Sequence, residues 1–228
     1  MYTHSVEPQP GLLTNTAPLS PQRPLPMTRL PAAQRREQLL DTASKLFAEK
    51  GYSGSTTAEL ARAAGVTEPI IYRHFSSKKD LFIALLERTG KQTIQRWEEH
   101  LASAPDPAAR LGRLIGANPM VIGEGRGVYR VVVQAMTEID DEDILLALQN
   151  HIASLHKFLE GEVVRAQEAG AVGKSFSPEI TAWLLMHLGL GYGMLAALRI
   201  HGHAVDKGGV HVRDVVERLM LGTRDRQY

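Results

Sequence analysis

The segment TTAELARAAGVTEPIIYRHF (residues 56–75) decides the fold. Thr56 and Glu59 have the spacing of a capping box: the threonine side chain serves a backbone amide, and the glutamate reaches back to the threonine's own N–H. The helix opened there carries Leu60, Ala61 and Ala64 on one face and stops at Gly65. Thr67 then stands at the head of a second, very short helix. Its Pro69 lies in the first turn, where a missing N–H costs nothing. Two such helices joined through Gly65-Val66, with alanines at the crossing, have the length pattern of a helix-turn-helix.

Helical phase sorts the second helix. Ile71 and Phe75, four apart, face inward with Val66. Glu68, Pro69, Ile70, Tyr72, Arg73 and His74 are left toward solvent or a partner. An outward isoleucine forfeits about 1–2 kcal/mol of burial. It is reasonable where its neighbour is a thymine methyl group in a major groove. Arg73 can read a guanine edge bidentately or fall back on a phosphate. Thr57, Tyr72, His74 and Lys78 sit at the helix edges, where hydroxyl, imidazole and ammonium groups meet phosphates. The free N–H groups at the two helix N-termini, headed by Thr56 and Thr67, suit phosphate as well. Glu68 either accepts from a cytosine N4 or complements the helix dipole, and the second reading is favoured. Taken alone, Tyr72-Arg73-His74 is more often simple packing. The capping box, the turn and Lys78 at their spacings reverse that balance.

Working outward, the chain has 228 residues, 43% hydrophobic and 22% charged, an ordinary globular composition. The absence of cysteine excludes a disulfide framework, thiolate metal sites and a cysteine nucleophile. The formal net charge is +1, but its distribution is uneven. Residues 29–80 hold nine Lys/Arg against six Asp/Glu, whereas residues 81–228 hold sixteen against eighteen. The N-terminal part is therefore the better candidate for a polyanion. Residues 1–30 contain six of the twelve prolines and almost no charge, so they are expected to form a flexible tail. No apolar leader segment is visible there, and a cytoplasmic location is expected.

From Leu30 onward the pattern is helix after helix, with no hairpin signal or strand alternation, and the fold class is all-α with about nine helices. Leu39, Leu40, Ala43, Leu46 and Phe47 mark one face of a helix ending at Lys50-Gly51. A fourth helix starts near Lys78 and runs to about Ser103. Further helices are expected from Pro107 to Ala117, Gly127 to Ile139, and about Asp141 to Ala169, where the 140–143 acidic run caps the helix rather than holding a metal. The apolar run from Pro178 to Ile200 and the amphipathic segment from Val210 to Leu221 complete the set. The former contains His187 and three glycines and reads as a buried interface helix, not a membrane span.

Together RREQLLDTASKLFAEKGYSGSTTAELARAAGVTEPIIYRHFSSKKDLFIALL (residues 35–86) resembles the DNA-binding domain of the tetracycline-repressor (TetR) family of bacterial transcription regulators. The resemblance rests on LFAEKGY, TTxxLAxxAGV, IYRHF and the following SK in combination. It implies a helix-turn-helix DNA-binding domain over residues 31–80 and a ligand-binding and dimerisation domain over residues 81–228. It further implies a homodimer on a palindromic double-stranded DNA operator, acting as a repressor released by a small-molecule effector. Glu68, Pro69, Ile70 and Arg73 would read bases, with Thr57, Tyr72, His74 and Lys78 on the backbone. Many members have Gly-Thr where this chain has Pro69-Ile70, so its groove contacts should differ.

The C-terminal helices carry Trp97, Met120, Tyr129, Met136 and Phe158, then Trp183, Met186 and Tyr192. Each is more often core than ligand contact. Together with Gln134 and His187 they are expected to line a pocket for a largely apolar effector. The glycines of the 178–200 run favour close helix approach. A dimer bundle is accordingly expected through Pro178 to Ile200 and Val210 to Leu221. Neither a metal site nor a cofactor is expected from the histidine spacings, and no nucleophile or carboxylate pair points to catalysis. The competing reading is a helical small-molecule or lipid-binding protein without operator-specific DNA binding.

Overall fold

In the computed structural model, residues 30–116, 126–198, 200 and 202–221 are described, apart from the side chains of 126–129, 196 and 197. The expected tail lies almost wholly outside them. Nine helices form among the described residues, in the order α1 (Ala32–Lys50), α2 (Thr57–Ala64), α3 (Glu68–Tyr72), α4 (Lys78–Leu101), α5 (Pro107–Gly116), α6 (Arg126–Met136), α7 (Glu142–Glu168), α8 (Pro178–Ala197) and α9 (Val212–Leu221). No strand occurs among the described residues, and an isolated bridge pairs Val205 with His211.

The helices start where side chains can replace the missing intrahelical partners. Ser77 Oγ accepts from the Asp80 amide at 3.0 Å to open α4. The Asp141 carboxylate accepts from the amides of Asp143 and Ile144 to open α7. Two ends are earlier or later than the sequence pattern gives. α6 stops at Met136 because Thr137 and Glu138 turn back onto the Gln134 and Ala135 carbonyls, three residues behind them. α9 begins at Val212, since His211 is held in the bridge and its amide donates to Asp214.

Two apolar cores share two helices. The first gathers Leu40 and Phe47 of α1, Leu60 of α2, Ile71 of α3 and Phe82 of α4, all essentially inaccessible. Phe47 meets Phe82 edge to face at 5.6 Å. This core does not close at residue 80: Val131 and Ala135 of α6 and Ile144 and Leu148 of α7 complete it. The second core joins Trp97 and Leu101 of α4, Leu111 of α5, Leu159 and Val163 of α7, and Met186 of α8. Between the two cores α4 and α7 approach closely. A Cβ on Gly90 would lie 2.9 Å from the His151 imidazole, so only glycine fits there. Burial pushes the His151 pKa below its ordinary value, although a bond to the Leu86 carbonyl opposes the shift.

A buried carboxylate ties the second core together. Glu162 of α7 accepts from Arg110 Nε and Nη2 at 2.8 and 2.7 Å, and also from Arg165. Arg110 reaches further, to the Leu101 carbonyl. Burial pushes the Glu162 carboxyl up, but the arginine hydrogen bonds outweigh it and hold the pKa below the ordinary value. A depressed carboxylate contributes stability that is present above the unfolded-state pKa and lost as pH falls through the folded one. Glu162→Ala strands Arg110 and is expected to cost about 3 kcal/mol of unfolding free energy in urea. The gap between wild type and variant should narrow as pH drops below the ordinary carboxylate range.

Candidate functional site

The α2–turn–α3 unit is fixed by local bonds before any packing is considered. Thr56 is extended (φ −115°, ψ 158°), and its Oγ1 accepts from the Glu59 amide while Glu59 Oε2 accepts from the Thr56 amide at 3.0 Å. Lys50 pairs with Glu59 at 2.6 Å, and this bond with that of Thr56 lowers the Glu59 pKa. Gly65 takes the left-handed conformation (φ 66°) that ends α2, with the Val66 amide returning to the Ala61 carbonyl at 2.9 Å. Thr67 occupies the N-cap position just before α3 with extended backbone, but its side chain makes no cap bond. The expected threonine cap is thus one of backbone conformation only.

Ile71 and Phe75 are buried on the inward face, and the Arg36 guanidinium covers the Phe75 ring at 4.9 Å. Pro69, Tyr72 and Arg73 are exposed on the other face. Ile70, expected to point outward, is half-buried, as are Glu68, His74, Thr57 and Lys78.

Three of these side chains form a chain of hydrogen bonds. Thr57 Oγ1 donates to Glu68 Oε2 at 2.8 Å, which uses its only proton. The 3.3 Å contact between Thr57 Oγ1 and Tyr72 Oη is then donated by the tyrosine. Both hydroxyl protons therefore run toward the Glu68 carboxylate, and a phosphate arriving at Thr57 or Tyr72 meets acceptors rather than donors. Glu68 thus has a use that neither sequence reading gave it. Lys78 is also engaged: its ammonium donates to the carbonyls of Tyr52 and Ser55 at 3.0 and 2.9 Å and lies 4.3 Å above the Tyr52 ring. It holds the α1–α2 loop against α4, with one proton remaining for a phosphate.

The residues expected to line an effector pocket are mostly elsewhere. Trp97 and Met186 are buried in the second core, and Phe158 packs on Trp97 at 5.4 Å. Trp183 lies between His156 and His187. Gln134 donates to the Phe47 carbonyl at the end of α1, and Met136 is exposed. Met120 and the Tyr129 side chain lie outside the described residues. Tyr192 does line a cavity of about 490 Å³, walled by α5, α7, α8, the 203–204 turn and the first turns of α9. Its aliphatic walls include Leu114, Leu159, Leu185 and Val216, residue types that the sequence offers everywhere and that carry no signal of their own. Among the described residues no group of three His, Cys, Asp or Glu is placed to hold a metal, and no helix is long and apolar enough to cross a membrane.

Fold and site together define a helical chain headed by a helix-turn-helix. Residues 39–85 match the family model of bacterial regulatory proteins, tetR family. Over 106 residues it is 35% identical to the HTH-type transcriptional activator FasR of Mycolicibacterium smegmatis, covering 46% of this chain and 48% of that one. The chain thus matches about half the length of that relative. The fold is shared with a TetR-family regulator from Agrobacterium tumefaciens (TM-score 0.66, 24% identity, 82% and 98% of the two chains). It is also shared with FadR from Bacillus subtilis, solved in complex with stearoyl-CoA (TM-score 0.63, 18% identity, 82% and 99%).

If a duplex lies on α3, Glu68→Ala frees the two hydroxyl protons and removes a charge facing phosphates. It should strengthen duplex binding about fivefold, or ~1 kcal/mol of relieved repulsion, in a fluorescence titration at low salt.

Proposed function

We propose that this chain is a ligand-responsive, DNA-binding transcription regulator that binds a palindromic operator as a homodimer and acts as a repressor released by a small, largely apolar effector. The observation that carries the reading is the exposed Pro69–Tyr72–Arg73 face of α3, set on a helix-turn-helix whose local bonds are complete without it. In this reading Arg73 meets a base edge or phosphate, and Pro69 and Ile70 contribute apolar contacts to the groove. His74 flanks them on the backbone, Thr57 and Tyr72 lie beside it with their hydroxyl protons turned toward Glu68, and the α2 and α3 N-termini at Thr56 and Thr67 add amide donors.

The dimer reading rests on two apolar stripes left exposed among the described residues. On α8, Ile180, Leu184 and Leu188 recur every four residues and are 56, 50 and 38% exposed. On α9, Val212, Val215 and Leu219 are spaced three and four residues apart on one face, with Leu219 80% exposed. A second copy that covers both would form a four-helix bundle with good apolar burial. Repression is the sign that the family resemblance implies, whereas the relative from Mycolicibacterium smegmatis is named an activator. A reporter placed behind the selected operator decides between them, and lower expression with the protein present is the expected result.

Selection from a random duplex pool, followed by salt-dependent titration, tests the reading. Absence of any sequence-selective duplex would return the chain to the class of helical ligand-binding proteins. Arg73→Ala is expected to relax preference at one base position by about 1–3 kcal/mol. Leu219→Lys should shift sedimentation at micromolar concentration from dimer to monomer, and a wild-type monomer would overturn the interface.

A further inference from the structure

The cavity beside α9 has walls and a mouth of different chemistry. Leu114, Leu159 and Leu185 close its inner side, while Tyr192, His203, His211 and Arg213 supply the polar atoms at one end.

Hydrogen positions at the mouth follow from the bonds around His211. Its Nδ1 accepts from the Arg213 amide at 3.1 Å, so in the neutral ring the proton sits on Nε2. Nε2 is 3.2 Å from Tyr192 Oη and therefore donates to it. The tyrosine's own proton is left to point elsewhere. The His203 and His211 rings flank Tyr192 at 5.2 and 5.8 Å and fix the direction of its ring. The cavity consequently presents a hydroxyl donor at the end of an apolar chamber.

The charges nearby argue against an anionic head. Arg213 is the cation at the mouth, and it pairs with Asp214 at 3.5 Å and donates to the Gly116 carbonyl at 3.3 Å. A second carboxylate, Glu217, lies over Gly112 on the adjoining face of α9. The first amides of α9 are not free for an anion either, because His211 N donates to Asp214 and Val212 N to the Ala204 carbonyl. Among the described residues Arg213 is the charged member of the lining, and because its charge is offset by Asp214 with Glu217 nearby on α9, a neutral acceptor is better matched than a carboxylate or phosphate.

The chamber exists because α8 carries glycine where it faces it. A Cβ on Gly191 would meet no atom within 4 Å, although the residue lies inside a 20-residue helix. Glycine there costs roughly 0.8–1 kcal/mol of helix propensity relative to alanine. What it leaves is open space rather than a close helix contact.

We infer that this cavity binds a neutral, compact apolar molecule with one hydrogen-bond-accepting oxygen near its end, such as a medium-chain ketone or ester, held by the Tyr192 hydroxyl. Its role as the effector site rests on the regulator reading above, whereas its occupancy does not. Leu188, Leu195 and Val212 belong both to its wall and to exposed apolar surface, so the proposed partner protomer would lie beside its outer side.

Calorimetry on the full chain without DNA, with 2-nonanone, nonanoate and nonylammonium as probes, tests the inference. The ketone should bind once per protomer and at least tenfold more tightly than either ion. Tyr192→Phe should weaken it about tenfold, the scale of a lost buried hydrogen bond. Gly191→Leu should abolish binding with an equal or higher melting temperature, since the new side chain fills the chamber and favours the helix. Nonanoate binding as tightly as the ketone would overturn the neutral head. Full binding by Gly191→Leu would overturn the location, and no binding of any probe would overturn the whole inference. A duplex titration run in parallel separates these outcomes from failure of the regulator reading, because it needs no ligand.

Discussion

The continuity of α4 is the constraint on which the remaining structure depends. Its 24 residues span about 36 Å at 1.5 Å per residue. Leu81, Phe82 and Leu85 at one end complete the core around the helix-turn-helix, and Trp97 and Leu101 at the other belong to the second core. α7 runs beside it and also enters both cores, and Gly90 lets the two helices meet against His151. At the start of both helices Lys79 pairs with Asp141 and Asp143, at 3.1 and 2.6 Å. These exposed pairs contribute little energy each. The two shared cores do more, because neither end of α4 can shift without exposing apolar surface at that end.

The last turn of α1 and the α1–α2 loop also meet α6 and the α6–α7 turn through polar contacts. Ser53 donates to Glu138, Gln134 donates to the Phe47 carbonyl, and Arg130 reaches the Ala48 carbonyl. Tyr52 sits among these groups, stacked on Phe82 at 4.4 Å, and burial followed by the nearby Glu138 and Asp141 charges raises its pKa. A movement of α6 or of the α6–α7 turn would therefore be felt at the loop that Lys78 braces, and through it at the head of α2. This is a contiguous physical route between the C-terminal helices and the reading face.

The two surfaces with proposed functions differ in how they are stabilised. The α2–α3 unit is held by caps, a left-handed glycine and a few buried apolar residues, so its outer face is free to carry groups chosen for a partner. The C-terminal cavity is instead a by-product of how α5, α8 and α9 fail to fill the space between them. Its polar atoms are placed by a bridge and a turn, at Val205, His211 and Ala204, whose φ of 67° is unusual for a residue with a side chain. Small displacements of that turn would move His203 and His211 relative to Tyr192 without disturbing either core.

Local chemistry explains why the helices and the reading head were legible in the sequence. The capping box at Thr56 and Glu59, Gly65 as terminator, Pro69 in a first turn and Asp141 as cap each act within a few residues, and apolar spacing reports which face of a helix turns inward. Helix boundaries shifted by a few residues at Thr137, where a tighter three-residue turn replaces the helix, and at His211, held by Val205. Side-chain alliances across elements were not legible. Thr57 with Glu68, Lys78 with the Tyr52 and Ser55 carbonyls, and Arg110 with Glu162 join residues 11 to 52 positions apart. No periodicity encodes such pairs. The cavity was the least legible of all. Trp97, Phe158 and Met186 drew attention because such side chains are rare, yet they packed their large apolar surfaces into the second core. The space was left by glycines and aliphatic residues whose neighbours are set only once the helices pack. The sequence by itself determined the helices, their caps and the exposed face of α3, because those follow from bonds within one or two turns. Only the tertiary structure decided which donors on that face remain free and where a ligand can enter, because both depend on groups brought together from distant parts of the chain.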